Sequence, residues 1–249
     1  MARRSSSHNP GSHAASPRPP LDQLRGAVYR RDGRGVVAIL AQHGPALCLQ
    51  WAGQGLLLAL AEGIDGAFPP TQQTARALRT RGLRGDEVLA EELDAATGDG
   101  PIPLRAAVTV DLGELAAVMD LDPDMGEHFL HRGTGELRMR GDSMVTGESD
   151  DDGWLDDDDW IRVEPRESSD AWDDMAEFAA AIEDRAFGAR LARAIEGRGA
   201  FRRFKDLLAE EPAVRDRWFA WSEDRELARA RAFLADHGLR PSYAADAGT

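Results

Sequence analysis

The sequence predicts a predominantly helical α+β fold: an all-helical N-terminal domain, then a small antiparallel sheet leading into a C-terminal multi-helix bundle. Three observations carry that prediction. Apolar residues recur at helical spacing through residues 21–98 and again from about residue 168 onward. Two short extended runs flank a Gly-x-Gly turn at Gly133-Thr-Gly135. Between the two helical stretches, Gly98-Asp-Gly-Pro-Ile-Pro103 reads as a linker.

Taken in order, residues 1–20 are rich in Ser, Pro, His and Gly and read as a disordered tail, as do residues 241–249. In the N-terminal domain, residues 21–98, Leu24, Ala27 and Val28 form one apolar face, ended at Asp32-Gly33. Val36, Val37 and Leu40 form a second, stopped by Gly44-Pro45. A third helix is expected over Leu56 to Leu60, between Gly55 and Gly63. Pro69-Pro70 precedes Thr71, the expected cap of a helix running through Arg81, and Asp86 opens the last helix with Val88, Leu89 and Leu93. The linker is placed at 99–106 and the second domain at 107–240, with an acidic loop at 141–160.

In that second domain Asp111-Leu-Gly-Glu114 has the spacing of a capping box, opening a helix with Leu115, Val118 and Met119. His128-Phe-Leu-His131 and Glu136-Leu-Arg-Met139 predict a hairpin, and Trp160-Ile-Arg-Val163 a third strand. Ser168 or Ser169 is expected to cap a helix with Trp172, Met175, Phe178, Ala179 and Ile182 inward. Phe187, Leu191 and Ile195 define the next helix, closed by Gly197; Phe201, Phe204 and Leu208 define another. Pro212 opens a fourth carrying Val214, Trp218 and Trp221, and Ser222 a fifth with Leu227, Phe233 and Leu234.

Composition narrows function. The 249 residues carry a net charge of −14, and residues 106–249 hold 18 basic against 34 acidic groups. That balance disfavours nonspecific duplex DNA binding, which draws its affinity from phosphate neutralisation. No apolar run approaches the roughly 20 residues that span a bilayer, and the N-terminal arginines are not followed by an apolar h-region, so no membrane partner and a cytoplasmic location are expected. Lys205 is the only lysine among 30 basic residues, a bias that fits a GC-rich bacterial genome. The one cysteine, Cys48, lies between Leu47 and Leu49 and reads as a buried, inert thiol.

The motif Ala194-Ile-Glu-Gly-Arg-Gly-Ala-Phe-Arg-Arg-Phe-Lys-Asp206 is the most specific in the chain. With Val-Asp-Leu-Gly-Glu-Leu-Ala at 110–116, Thr-Gly-Glu at 134–136 and Arg-Ala-Phe-Leu at 231–234, it resembles uncharacterised protein family 0158 over residues 108–239. That bacterial family has no assigned function, so the resemblance carries over no catalytic residues. The chain departs from the family pattern at His131 and in the acidic loop.

Each candidate site has a structural and a functional reading. Gly197 and Gly199 permit a tight break between helices, and Phe201 and Phe204 face the core. Arg198, Arg202, Arg203 and Lys205 are then the binding candidates, with internal partners such as Asp206 or Glu196 competing against a bound phosphate or RNA backbone. In Asp150 to Asp159 a calcium loop would place Asp150, Asp152 and Trp154 at its first, third and fifth positions, and tryptophan cannot ligate. His128 and His131, three apart on a strand, point to opposite faces, which disfavours a metal pair. Trp154 and Trp160 are retained as possible partner anchors. With no catalytic residues, cofactor or metal ligands assigned, the leading expectation is a non-enzymatic interaction or regulatory module with a protein partner. RNA or single-stranded nucleic-acid binding through Gly197–Asp206 is the alternative, and a metal-dependent hydrolase using aspartates the third.

Overall fold

In the computed structural model, residues 20–140, 154 and 157–243 are described, and they form a predominantly helical α+β protein. The first five helices are α1 (Pro20–Tyr29), α2 (Gly33–His43), α3 (Leu49–Ala61), α4 (Phe68–Arg81) and α5 (Asp86–Thr97). Strand β1 (Ala106–Val108) and helix α6 (Leu112–Met119) lead into the sheet strands β2 (His128–His131), β3 (Leu137–Met139) and β4 (Trp160–Val163). Helices α7 (Ser168–Ala181), α8 (Arg185–Ala194), α9 (Ala200–Glu210) and α10 (Pro212–Asp236) follow, and β5 (Leu239–Pro241) comes last.

Local chemistry explains most starts and stops. Asp32 caps α2 by accepting from Gly35 N–H at 2.8 Å, and Asp111 caps α6 by accepting from Gly113 and Glu114 N–H. The hairpin forms as expected: β2 pairs antiparallel with β3, matching Leu130 with Leu137, and with β4, matching Leu130 with Ile161. Leu130, Ile161 and Val163 face the core, while Phe129, His131, Arg138 and Trp160 lie on the opposite face.

Several boundaries differ from the sequence reading. Helix α3 starts at Leu49, so Gly53 and Gly55 lie inside it, where Leu89 and Val36 pack against them too closely to leave room for a Cβ. Thr71 is not a cap: α4 begins at Phe68 with both prolines in its first turn, and the buried Thr71 hydroxyl donates back to Ala67 O at 2.8 Å. Glu167, not Ser168 or Ser169, occupies the cap position of α7. Trp172 and Phe201, expected inward, are exposed. Residues 106–108 and 239–241 pair as a parallel two-stranded sheet, Ala106 opposite Leu239, across a crossover that no local pattern reveals. The calcium-loop positions Asp150 and Asp152, with most of the 141–160 loop, lie outside the described residues.

The largest difference is α10. It runs unbroken for 25 residues, about 37 Å at 1.5 Å per residue, and Ser222 sits in its middle donating to Glu226 at 2.7 Å. At 100° per residue, Val214, Trp218 and Trp221 lie roughly half a turn round the axis from Leu227, Ala230 and Leu234. The first stripe packs on a cluster of Met175, Phe178, Leu191, Phe204 and Leu208. The second joins a larger cluster that takes Leu24, Val36, Leu56, Leu78 and Leu93 from α1–α5 together with Val108, Leu115, Leu130 and Ile161. A helix that exchanges its buried face midway reads, by periodicity, as two helices.

At the exchange point α10 carries charges inward. The Asp224 carboxylate accepts from Gln50 N–H at 2.7 Å, Leu49 N–H at 3.2 Å and the Cys48 thiol at 3.1 Å. Arg81 pairs with Asp224 and, at 2.7 Å, with the fully buried Asp86, which also accepts from Gln50 Nε2 at 3.0 Å. Two turns further on, the wholly buried Arg231 donates to Gln50 Oε1 at 3.0 Å and Glu92 at 3.1 Å. Burial, reinforced by the Asp224 charge, pushes the Cys48 thiol well above its ordinary pKa, so it is held as the neutral thiol. Gly85 (φ +87°) lets the α4–α5 turn lie against the Ala228 carbonyl of α10, where a Cβ would overlap. Removing one member of a buried ion pair strands its partner, so Asp224→Ala is expected to cost about 3–5 kcal/mol, measured by urea denaturation; a loss under about 1 kcal/mol would contradict the network's role.

Candidate functional site

The Gly197–Asp206 motif forms the junction of α8 and α9. Gly197 and Gly199 adopt φ of +73° and +77°, which turns the chain without a Cβ penalty. The turn brings the carbonyl of Ala194, the last residue of α8, and those of the turn itself to the side of α9, and Arg203 collects them. Its guanidinium donates to Ala194 O at 3.0 Å, Glu196 O at 2.6 Å and Arg198 O. A helix C-terminus carries unpaired carbonyls and partial negative charge, so one cation satisfies both. Arg203 is thus spent on the fold.

The other cations of the motif are more open. Arg202 is 90% exposed and lies 4.0 Å from Asp206, a solvent-screened pair of little energetic weight. Arg198 and Lys205 are exposed. Phe204 is buried, with its ring 4.8 Å from Trp218 in an edge contact.

Phe201 and Lys205, one helical turn apart on α9, line a cleft of about 610 Å³. The facing wall is built by Arg25 and Tyr29 of α1 and Trp51 of α3, and α10 contributes Phe219 and Glu223. Phe201 is 46% and Phe219 56% exposed, and Tyr29 stacks tilted on Trp51 at 5.6 Å. Most charges in the cleft are already matched. Glu223 holds Arg25 and accepts from Trp51 Nε1 at 2.8 Å; Arg166 pairs with Asp120 and reaches Asp174 at 3.6 Å. The cleft therefore offers aromatic surface with Lys205 at its edge.

Sequence reasoning located Phe201 and Lys205 but missed Arg25, Trp51, Arg166 and Glu223. These come from elements far apart in the chain, and only the tryptophan carried any signal as a residue type that favours interfaces.

The remaining candidates are structural in their surroundings. Among the described residues, His131, Asp157 and Asp159 bring potential ligand atoms within 4.8 Å of one another. His131 Nδ1, however, already accepts from Gly133 and Thr134 N–H at 3.1 and 3.2 Å, closing the hairpin turn. Trp154 and Trp160 pack edge to face at 4.7 Å, and the Arg138 guanidinium sits over both rings at 5.8 and 5.2 Å. Those tryptophans are engaged internally and only half exposed.

The Gly-Arg-Gly turn, the Arg203 cap and the buried Phe204 together give the motif a defined structural job. The chain is similar to a family 0158 protein. The relative is a UPF0158 protein of Pseudomonas aeruginosa, 25% identical over 135 residues, which is 54% of this chain and 87% of that protein. It carries the family name that the sequence motif suggests. No family profile and no solved structure matches the chain.

If Arg203 is the clasp of the Gly-Arg-Gly turn, Arg203→Ala should lower stability by about 1 kcal/mol, and Arg203→Lys should restore little of it because an ammonium cannot reach three carbonyls as a fork does. Equal stability of wild type and Arg203→Ala in thermal melts would contradict this assignment.

Proposed function

We propose that the chain is a non-enzymatic interaction module whose cleft beside α9 receives a segment of a partner protein. The observation that carries this reading is the pair of exposed phenylalanines, Phe201 and Phe219, lining one cleft in which Arg25, Glu223, Arg166 and Asp120 are already paired. Exposed aromatic side chains in a concave setting are the usual anchors of protein recognition, because they bury large area at small entropic cost. Lys205 at the edge, with Arg198 and Arg202 nearby, selects the chemistry of the guest: an apolar side chain with Asp or Glu beside it. The strongly acidic net charge supports a guest held chiefly by its apolar contact, since long-range attraction for a polyanion is weak.

RNA binding is the second reading, favoured by the three exposed cations Arg198, Arg202 and Lys205 and weakened by the commitment of Arg203 to backbone carbonyls.

Selection from a displayed peptide library separates the two. Wild-type protein is expected to enrich peptides with an aromatic or aliphatic residue flanked by acids, and Phe201→Asp/Phe219→Asp to enrich none. Enrichment that persists on the double variant would overturn the cleft assignment. A salt-dependent shift of labelled RNA, lost in Arg202→Ala/Lys205→Ala but kept in the phenylalanine variant, would favour the second reading instead.

A further inference from the structure

The charged lining of the cleft beside α9 comprises Arg25, Arg166 and Lys205 against Asp120, Glu223 and Glu226. Arg25 pairs with Glu223, and Arg166 with Asp120. Lys205 and Glu226 are left over, and neither has an ion-pair partner among the described residues.

Helix geometry places these two charges. Phe219, Ser222, Glu223 and Glu226 follow the i, i+3, i+4, i+7 spacing, so they share the stripe of α10 that lines the cleft. Glu226 is half-buried there. The Ser222 hydroxyl donates to Glu226 Oε1 at 2.7 Å, which holds the carboxylate along its helix and leaves Oε2 without a donor among the described residues. On α9, Lys205 follows Phe204, whose ring packs on Trp218 at 4.8 Å, so Lys205 stands near the level of Trp218. Glu226 lies about 12 Å further along α10, at 1.5 Å per residue. The cleft thus carries an unmatched ammonium towards one end and an unmatched carboxylate towards the other.

A guest with only an apolar side chain and an acid would serve Lys205 and leave Glu226 covered and unpaired. Stripping water from a carboxylate without supplying a donor opposes binding, whereas a cation there adds a charge-assisted hydrogen bond. RNA has no ammonium to offer Glu226. A free amino acid carries both charges on one carbon and cannot span the distance.

We infer that the cleft is bipolar and selects a partner-protein segment with three features: an acid for Lys205, an aromatic or aliphatic residue for Phe201 and Phe219, and a lysine or arginine for Glu226. In an extended guest, at about 3.3 Å per residue, the acid and the base stand roughly three or four residues apart. This rests on the cleft reading above and specifies its guest.

The test repeats the displayed-library selection with wild type, Glu226→Gln and Phe201→Asp/Phe219→Asp. Glutamine keeps the shape of Glu226 and an oxygen for Ser222, so Glu226→Gln should melt with the wild type. Wild-type pools should carry the base, and Glu226→Gln pools should keep the apolar residue and the acid but lose it. A synthetic copy of the leading wild-type peptide, followed by fluorescence anisotropy, should bind Glu226→Gln about tenfold more weakly. Replacing the base of that peptide by glutamine should cost wild type about tenfold and Glu226→Gln little. A wild-type pool without the base, or a base preference unchanged on Glu226→Gln, would overturn the inference and leave the cleft reading standing. Enrichment that persists on the phenylalanine variant, or none on wild type, would overturn the cleft reading and this inference with it.

Discussion

Helix α3 begins at Leu49 without a cap of its own, and the carboxylate of Asp224, from the middle of α10, supplies one. An uncapped helix start buried among apolar residues would leave several N–H groups unpaired, each costly. Here the acceptor comes from 175 residues away in sequence, so α3 and α10 each need the other in place. Arg81 and Asp86 close the circuit from α4 and α5, and Gln50 links it to Arg231. Because each charge in the circuit has an opposite or hydrogen-bonding partner, it favours a single geometry: a slip of α10 along its axis would strand charges in a dry interior.

From that fixed point the rest of the architecture follows. Asp224 sits where α10 exchanges one buried face for the other. Its second half completes the core of α1–α5 and the small sheets, and its first half carries the cluster of α7, α8 and α9. The cleft lies at this exchange, with Glu223, the neighbour of Asp224, tying Arg25 and Trp51 to α10. Phe219, one turn earlier, is left facing outward beside Phe201. The same buried circuit that joins the two halves of the chain thus sets the width of the surface proposed to recognise a partner.

How much of this was legible in the sequence depended on the range of the interaction. The Asp111 cap, the hairpin around Gly133–Gly135 and the inward stripe of Phe187, Leu191 and Ile195 are local, and spacing reveals them. Helix α10 was misread because its stripe changes sides after Trp221, and a window looking for one face finds two. The β1–β5 pairing joins residues 106–108 to 239–241, segments that look like linker and tail by composition. In the motif, spacing correctly gave Phe204 to the core and the glycines to a turn. It could not give Arg203 its carbonyls, since which of three adjacent cations folds back depends on where the preceding helix ends. The cleft's facing wall was invisible for the same reason: Arg25 and Trp51 reach it only through tertiary packing.

The central claim is that the Asp224 circuit makes α3, α5 and α10 one cooperative unit. Native-state hydrogen exchange across a denaturant series tests it most directly. The account predicts that the most protected amides of α3, α5 and α10 merge into one global opening with a common free energy and denaturant dependence. If the amides of α1–α5 instead open with a distinctly lower free energy while those of α10 stay protected, the circuit does not bind the halves together.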